Sequence, residues 1–264
     1  MFKKVILLTL TGVIAYSCAT VPVTGRRQLN LINNSEILPM SYDQYEQVLG
    51  ESKLSDNQEW TAMVKRSGEK IKIAAEQYMK DIGAEDQLEG YDWTFNLIES
   101  ETVNAWCMPG GKVAFYTGIM PICATEDGVA VVMGHEVAHA IANHSRERMS
   151  QSMVTNGLGS ALGTAMGSDP TLTQAIFMQS VGIGSQLGML KFSRTHESEA
   201  DKIGLIFMAI AGYNPQEAPR FWQRMNSNAG GERPPEFLST HPNPDTRIDD
   251  LNAAMPEALK YYKK

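Results

Sequence analysis

His135-Glu136-Val137-Ala138-His139 sets two imidazoles four residues apart, with a carboxylate directly after the first. On a helix that spacing puts both rings on one face, where both can meet one ion at Zn–N distances of about 2.0–2.1 Å. Glu136 then projects about 100° round the helix, beside the ion and not onto it, which is where a base for the attacking water must sit. With 5 His and 19 Glu in 264 residues, chance gives this pattern on the order of 0.01 times per chain. Coincidence is therefore the weaker explanation. A hydrolytic zinc centre needs a third protein ligand and leaves the fourth position to water. The strongest candidates lie 58 residues beyond His139, in Glu197-Ser198-Glu199-Ala200-Asp201. Glu197 and Asp201 are again an i, i+4 pair, so one can bind the ion while the other orients a ligating imidazole. Glu199 reads as a solvated acid near a helix start.

These residues need helices to hold them. Thr125 can cap one, with Glu126 and Asp127 in its first turn, and it should run to about Asn143. A helix over residues 197–211 closes at Gly212, with Pro215 just beyond. Residues 57–87 keep apolar positions (Trp60, Val64, Ile71, Ala74, Ala75, Tyr78, Met79) at three-and-four spacing, as one long amphipathic helix does, and an earlier helix starts near Ser35. Residues 92–98 alternate as a strand does, and residues 112–117 form a second strand after Pro109-Gly110-Gly111. Between Ser150 and Leu190 only Asp169 is charged and glycine recurs, which predicts a helical hairpin broken at residues 167–170 and packed through small residues. Gln151, Asn156, Gln174, Gln179 and Gln186 argue against two membrane spans there. Short helices starting near Pro215 and Pro244 end the chain.

A formal charge of −7 with no basic tract beyond the N-terminus excludes nucleic acid as a partner. Residues 1–4 are basic, residues 5–15 apolar, and Ala15-Tyr16-Ser17 precedes Cys18. This is a signal-peptide layout, and its end resembles a bacterial lipobox. Cleavage before Cys18 and acylation of its thiol are expected, with residues 18–34 as a tether to a domain over residues 35–264. Export would let Cys107 and Cys123 pair, although two buried, reduced thiols are the favoured reading.

The motif His135-Glu136-Val137-Ala138-His139, the segment 193–201 (SRTHESEAD) and the segment 104–118 (NAWCMPGGKVAFYTG) stand in the order found in metallopeptidase family forty-eight. The chain resembles that HtpX and CAAX prenyl protease group, and within it the exported, BepA- and LoiP-like lipoprotein zinc proteases. The resemblance implies an α+β, mainly helical gluzincin fold with a small β-sheet whose edge strand holds an extended peptide. It implies one Zn²⁺ per chain on His135, His139 and Glu197, Glu136 as general base, and Asp201 as acceptor for a ligating histidine. Asn104, Gly110, Gly111, Lys112 and Val113 fall where relatives line the substrate strand. His241 matches a position that can approach the metal, either as a fourth ligand silencing the resting enzyme or as a donor to the oxyanion. His144 and His196 read as local hydrogen-bonding residues; Arg194 and Arg247 steady the site or pair on the surface. The implied activity is endopeptidase cleavage of envelope proteins in quality control, on the periplasmic side of a membrane, the outer one favoured. Partners would be polypeptide substrates, the membrane through Cys18 and the outer-membrane assembly machinery. The rival reading is a zinc-containing, chaperone-like lipoprotein that assists assembly without cleavage.

Overall fold

Successive side chains of a strand point to opposite faces, and three strands of this protein use that alternation to divide two apolar cores. A computed structural model describes residues 18–155, 176–177, 192–229, 236–241 and 246–263. The signal peptide expected over residues 1–17 and the hairpin, apart from residues 150–155 and 176–177, lie outside the described residues. In chain order the elements are β1 (Cys18–Thr20), β2 (Arg27–Leu29), α1 (Asn34–Glu51), α2 (Gln58–Asp81), β3 (Thr94–Ile98), β4 (Ala105–Met108) and β5 (Lys112–Tyr116). Then follow α3 (Met120–Cys123), α4 (Glu126–Ile141), α5 (His144–Thr155), α6 (Arg194–Ile210), α7 (Glu217–Ala229), α8 (Phe237–Thr240) and α9 (Arg247–Ala258). The fold is mainly helical with a small mixed sheet. No described helix is long and apolar enough to cross a membrane.

The sheet order is β3-β5-β4, with β3 parallel and β4 antiparallel to β5. Phe95, Leu97, Ala105, Cys107, Val113 and Phe115 enter the larger core with α2, α4 and α6. Ile98, Trp106, Met108 and Ala114 face the other way, onto Ile37, Leu38 and Tyr45 of α1 and onto Phe177. Burial on both faces removes the polar alternation that marks a strand in sequence, and β4 was missed for that reason. The β4–β5 turn uses Gly110 and Gly111 at φ of 84° and 83°, where a Cβ would also strike Tyr42 or Trp93.

The sheet corrects one expectation directly. Lys112 and Val113 do not lie on an edge: they pair with Thr94 and Phe95 on one side and with Met108 and Cys107 on the other. Among the described residues β4 is the edge on that side. Residues 18–34 are also no free tether. β1 and β2 pair antiparallel, Val21 is fully buried in the larger core, and the Leu31 amide donates to Ser150 Oγ at 2.9 Å.

α4 is buried on every side from Gly128 to Ile141, as a helix apolar all round should be. Thr125 caps it, accepting from the Gly128 amide at 3.1 Å. α6 crosses it backbone to backbone: a Cβ on Gly204 would lie 3.0 Å from the Gly134 carbonyl carbon and the His135 nitrogen, and one on Gly134 would lie 3.0 Å from Gly204 O. Ser193 caps α6 through the His196 amide, and Gly212 follows its end at φ 81°. The cap of α1 is Asn33, closed by Glu36 in a capping box, two residues before the expected Ser35. Cys107 and Cys123 are unpaired and buried; burial pushes the Cys123 thiol up to about 12 and Cys107 well above its usual value.

Candidate active site

The glycine crossing brings the first turns of α6 against the middle of α4. His135 Nε2 lies 3.0 Å from His139 Nε2 and 3.5 Å from Glu197 Oε2, while His139 Nε2 lies 3.4 Å from Glu197 Oε1. Four ligands at roughly 2.0–2.1 Å on the corners of a tetrahedron are separated by about 3.3–3.4 Å, so these three groups have the spacing of a shared ion. His241, at the end of α8, completes a group of four buried donors whose atoms all lie within 4.8 Å of one another. Its Nδ1 lies 2.9 Å from Thr240 Oγ1, and that hydroxyl donates to Phe237 O. The hydroxyl oxygen thus accepts from Nδ1–H and leaves the lone pair on Nε2. That Nε2 and Glu197 Oε1 are buried without a hydrogen-bond partner, an arrangement that costs free energy unless something else satisfies them. Two imidazoles, a carboxylate and a third imidazole around unpartnered lone pairs suit a zinc-like ion.

Each imidazole of α4 is backed differently. His135 Nδ1 donates to Asp201 Oδ1 at 2.9 Å. Arg247, only 2% exposed, donates to Asp201 Oδ1 at 2.7 Å and Glu197 Oε2 at 3.0 Å, with its guanidinium 3.5 Å over the Trp222 ring. Burial opposes charge on His135, yet hydrogen bonds to Asp201 and Glu197 outweigh it and lift the group to about 9. Burial also opposes charge on Glu197, but His241, Arg247 and His135 hold it down at about 2. His139 Nδ1 instead faces His144 Nδ1 at 2.8 Å, and His144 Nε2 donates to Glu199 Oε2 at 3.0 Å. Burial, with His135, His144, His196 and Arg148 adding to it, pushes His139 well below its usual value. Phe192 stacks on the His139 ring at 3.9 Å.

Glu136 points beside the cluster, its Oε1 3.4 Å from His241 Nε2. Burial raises its carboxyl to about 8, with the charge of His135 opposing the rise and the nearby Glu197 adding to it. Asn104 lies at the start of β4, buried, with its Nδ2 donating to Glu236 Oε1 at 3.2 Å. Glu199, expected as a solvated acid, is 5% exposed and carries three donors: His144, Thr24 and Arg26. All five histidines of the chain stand in this one region, since His196 stacks on His144 at 4.4 Å. Sequence reasoning passed over Arg26 and Glu147 and left Glu199 in solvent; the i, i+5 placement of His144 after His139 was the available signal.

Residues 66–255 match peptidase family M48. The mitochondrial metalloendopeptidase OMA1 of Saccharomyces cerevisiae is 35% identical over 74% of this chain and 56% of its own length. That of Schizosaccharomyces pombe is 31% identical over 90% of this chain and 66% of its own. The beta-barrel assembly-enhancing protease of Escherichia coli is 32% identical over 59% of this chain and 33% of its own. The first two therefore match a larger share of the chain than the third, whose branch the sequence motifs had favoured.

Proposed function

This chain belongs to peptidase family M48, and on that premise we propose that it is a zinc-dependent endopeptidase. The observation that carries the reading is the convergence of His135, His139, Glu197 and His241, with the Glu136 carboxylate beside them. The first three would hold the ion. When bound, zinc supplies a Lewis acid that polarises the scissile carbonyl and acidifies the attacking water. Glu136 takes the proton from that water and delivers it to the leaving amine, a task suited to a carboxyl raised to about 8 by burial. A polypeptide would add as a strand along the β4 edge. Glu136→Gln should retain stoichiometric zinc and lose casein cleavage; a variant that still cleaves would remove Glu136 from this role.

His241 takes the fourth position in the resting protein, a reading supported by its unpartnered, buried Nε2. His241→Ala is then expected to cleave faster and hold zinc less tightly. A slower rate at unchanged zinc affinity would assign it instead to the oxyanion. The same closed site favours a second reading, a chaperone-like protein that keeps its zinc and does not cut. Zinc-loaded wild type and His241→Ala that both leave casein intact would support that alternative.

The envelope placement rests on sequence alone: residues 1–17 act as a signal peptide, Cys18 carries the lipid, and the domain over 35–264 faces the periplasm, on the outer membrane in preference to the inner. Misassembled envelope proteins are the proposed substrates, with the outer-membrane assembly machinery as a partner, by analogy with the Escherichia coli relative. Labelled fatty acid incorporated equally by Cys18→Ala would overturn the anchor.

A further inference from the structure

The turn between β1 and β2 carries a side chain that the proposed chemistry does not use. Arg26 reaches from this turn, past Gly25 at φ 70°, into the space between α5 and α6. Its Nε donates to Glu199 Oε2 at 2.7 Å, and its two terminal nitrogens grip Glu147 as a fork, at 3.1 Å to Oε1 and 2.7 Å to Oε2. Thr24 donates its hydroxyl to the other oxygen of Glu199. Each carboxylate also accepts from a histidine: Glu199 from His144 Nε2 at 3.0 Å, and Glu147 from His196 Nε2 at 3.1 Å. The two rings stack, so one guanidinium fixes both carboxylates and both rings as a unit.

The direction of each hydrogen bond follows from His139. An imidazole that binds an ion through Nε2 carries its proton on Nδ1, and that proton needs an acceptor. The acceptor 2.8 Å away is His144 Nδ1, which must hold a lone pair; the His144 proton then sits on Nε2 and goes to Glu199. Glu199 can accept only, so it selects this tautomer. Glu199 is itself held by Arg26 and Thr24. An unbroken series of three polar contacts thus runs from the N-terminal segment to a proposed metal ligand.

We infer that Arg26 is a positioning residue for the metal centre, acting through Glu199 and His144 to fix the tautomer and orientation of the His139 imidazole. The inference rests on the proposed zinc site. It makes residues 18–34 part of that site, and it explains a buried two-carboxylate clamp that needs the planar fork of arginine in place of the point charge of lysine.

The test uses the full chain in detergent, with Arg26→Ala, Arg26→Lys and Thr24→Val, and zinc itself as the probe. Competition with a chromophoric chelator should show zinc affinity reduced about 10–100-fold in Arg26→Ala, less in Arg26→Lys, and least in Thr24→Val. With zinc saturating, kcat should fall and KM for a peptide stay near its wild-type value. In the metal-free protein, long-range ¹H–¹⁵N spectra of the histidine rings should show His139 protonated at Nδ1 and His144 at Nε2. Arg26→Ala should lose that single pattern at His144. Wild-type zinc affinity and unchanged ring spectra in Arg26→Ala would overturn the inference. If Arg26→Ala does not fold, Thr24→Val and Arg26→Lys carry the same comparison, and unchanged affinity and spectra in both would overturn it equally. A wild-type protein that binds no zinc would instead defeat the proposed function, which separates the two failures.

Discussion

Arg247, on α9, touches Glu197 of the histidine–glutamate group directly, whereas Arg26, between β1 and β2, reaches that group through Glu199 and His144. Arg247 is sealed against Trp222 with a side chain 2% exposed; the Arg26 side chain is 23% exposed. Each clamps two carboxylates, so the number of pairs is the same and the environment differs. Behind Arg247 the imidazole of His135 meets a charged acceptor, Asp201, and its proton affinity rises. Behind Arg26 the imidazole of His139 meets another imidazole, and burial lowers its proton affinity. One ligand is thus held by charge and the other by tautomer.

The largest expected effect tests the burial half of that contrast. Arg247→Met leaves Glu197 and Asp201 without their cation in a sealed site and should cost about 3–5 kcal/mol of stability, read by urea unfolding of the metal-free protein. Arg26→Met should cost less, because water reaches that pair; the reverse order would break the comparison. Asp201→Asn keeps an acceptor for His135 and removes the charge, so zinc affinity should fall about 10–100-fold, measured by chelator competition. An unchanged affinity would make orientation, not charge, the contribution of Asp201.

A smaller effect appears in pH. His135 is raised from 6.5 to about 9 in the metal-free protein, so its charge stabilises that state fully below pH 6.5, and the gain is lost as pH rises through 9. Zinc must displace this proton, so apparent zinc affinity should climb about tenfold per pH unit up to about 9. Calorimetry at pH 7 in two buffers of different ionisation enthalpy should report about one proton released; none would show that both histidines bind zinc from the neutral state. The smallest effect is in acid. Burial opposes charge on Glu147 and Glu199, but their histidine and Arg26 partners lower both from 4.5 to about 2. The stability they add is present above pH 4.5 and lost as pH falls through about 2. The protection factor against hydrogen exchange at the Val21 amide, bonded to Arg26 O at 2.8 Å, should fall over that range and hold its value above it.

The helices around the cluster could be read in advance because caps, acidic first turns and Gly212 are local signals that agree with the packing. The same locality hid the rest. The strands of three residues around Thr24-Gly25-Arg26 show no periodicity, and only the fold reveals that Arg26 meets Glu147 and Glu199. β4 lacked alternation because two cores share it, and without β4 the pairing of Lys112 and Val113 could not be placed. Glu199 looked solvated because its helix-start position is a surface position in most helices; here α5 and the turn before β2 close over it. Arg247, left open in the sequence, pairs with Glu197 and Asp201 only because α9 folds back on α6.

The crossing of Gly134 and Gly204 has a consequence for anyone rewriting this protein. Peptide groups in contact set the distance between the two ligand-bearing helices, with no rotamer involved. The spacing of the histidines and Glu197 is therefore portable: exposed residues of α6 can be exchanged freely, whereas Gly134 and Gly204 at the crossing must stay without a side chain, as must Gly128, where a Cβ would meet Cys123 O. Adding one methyl at Gly134 or Gly204 would act like a shim, widening the gap between the helices and moving Glu197 away from both histidines of α4 at once.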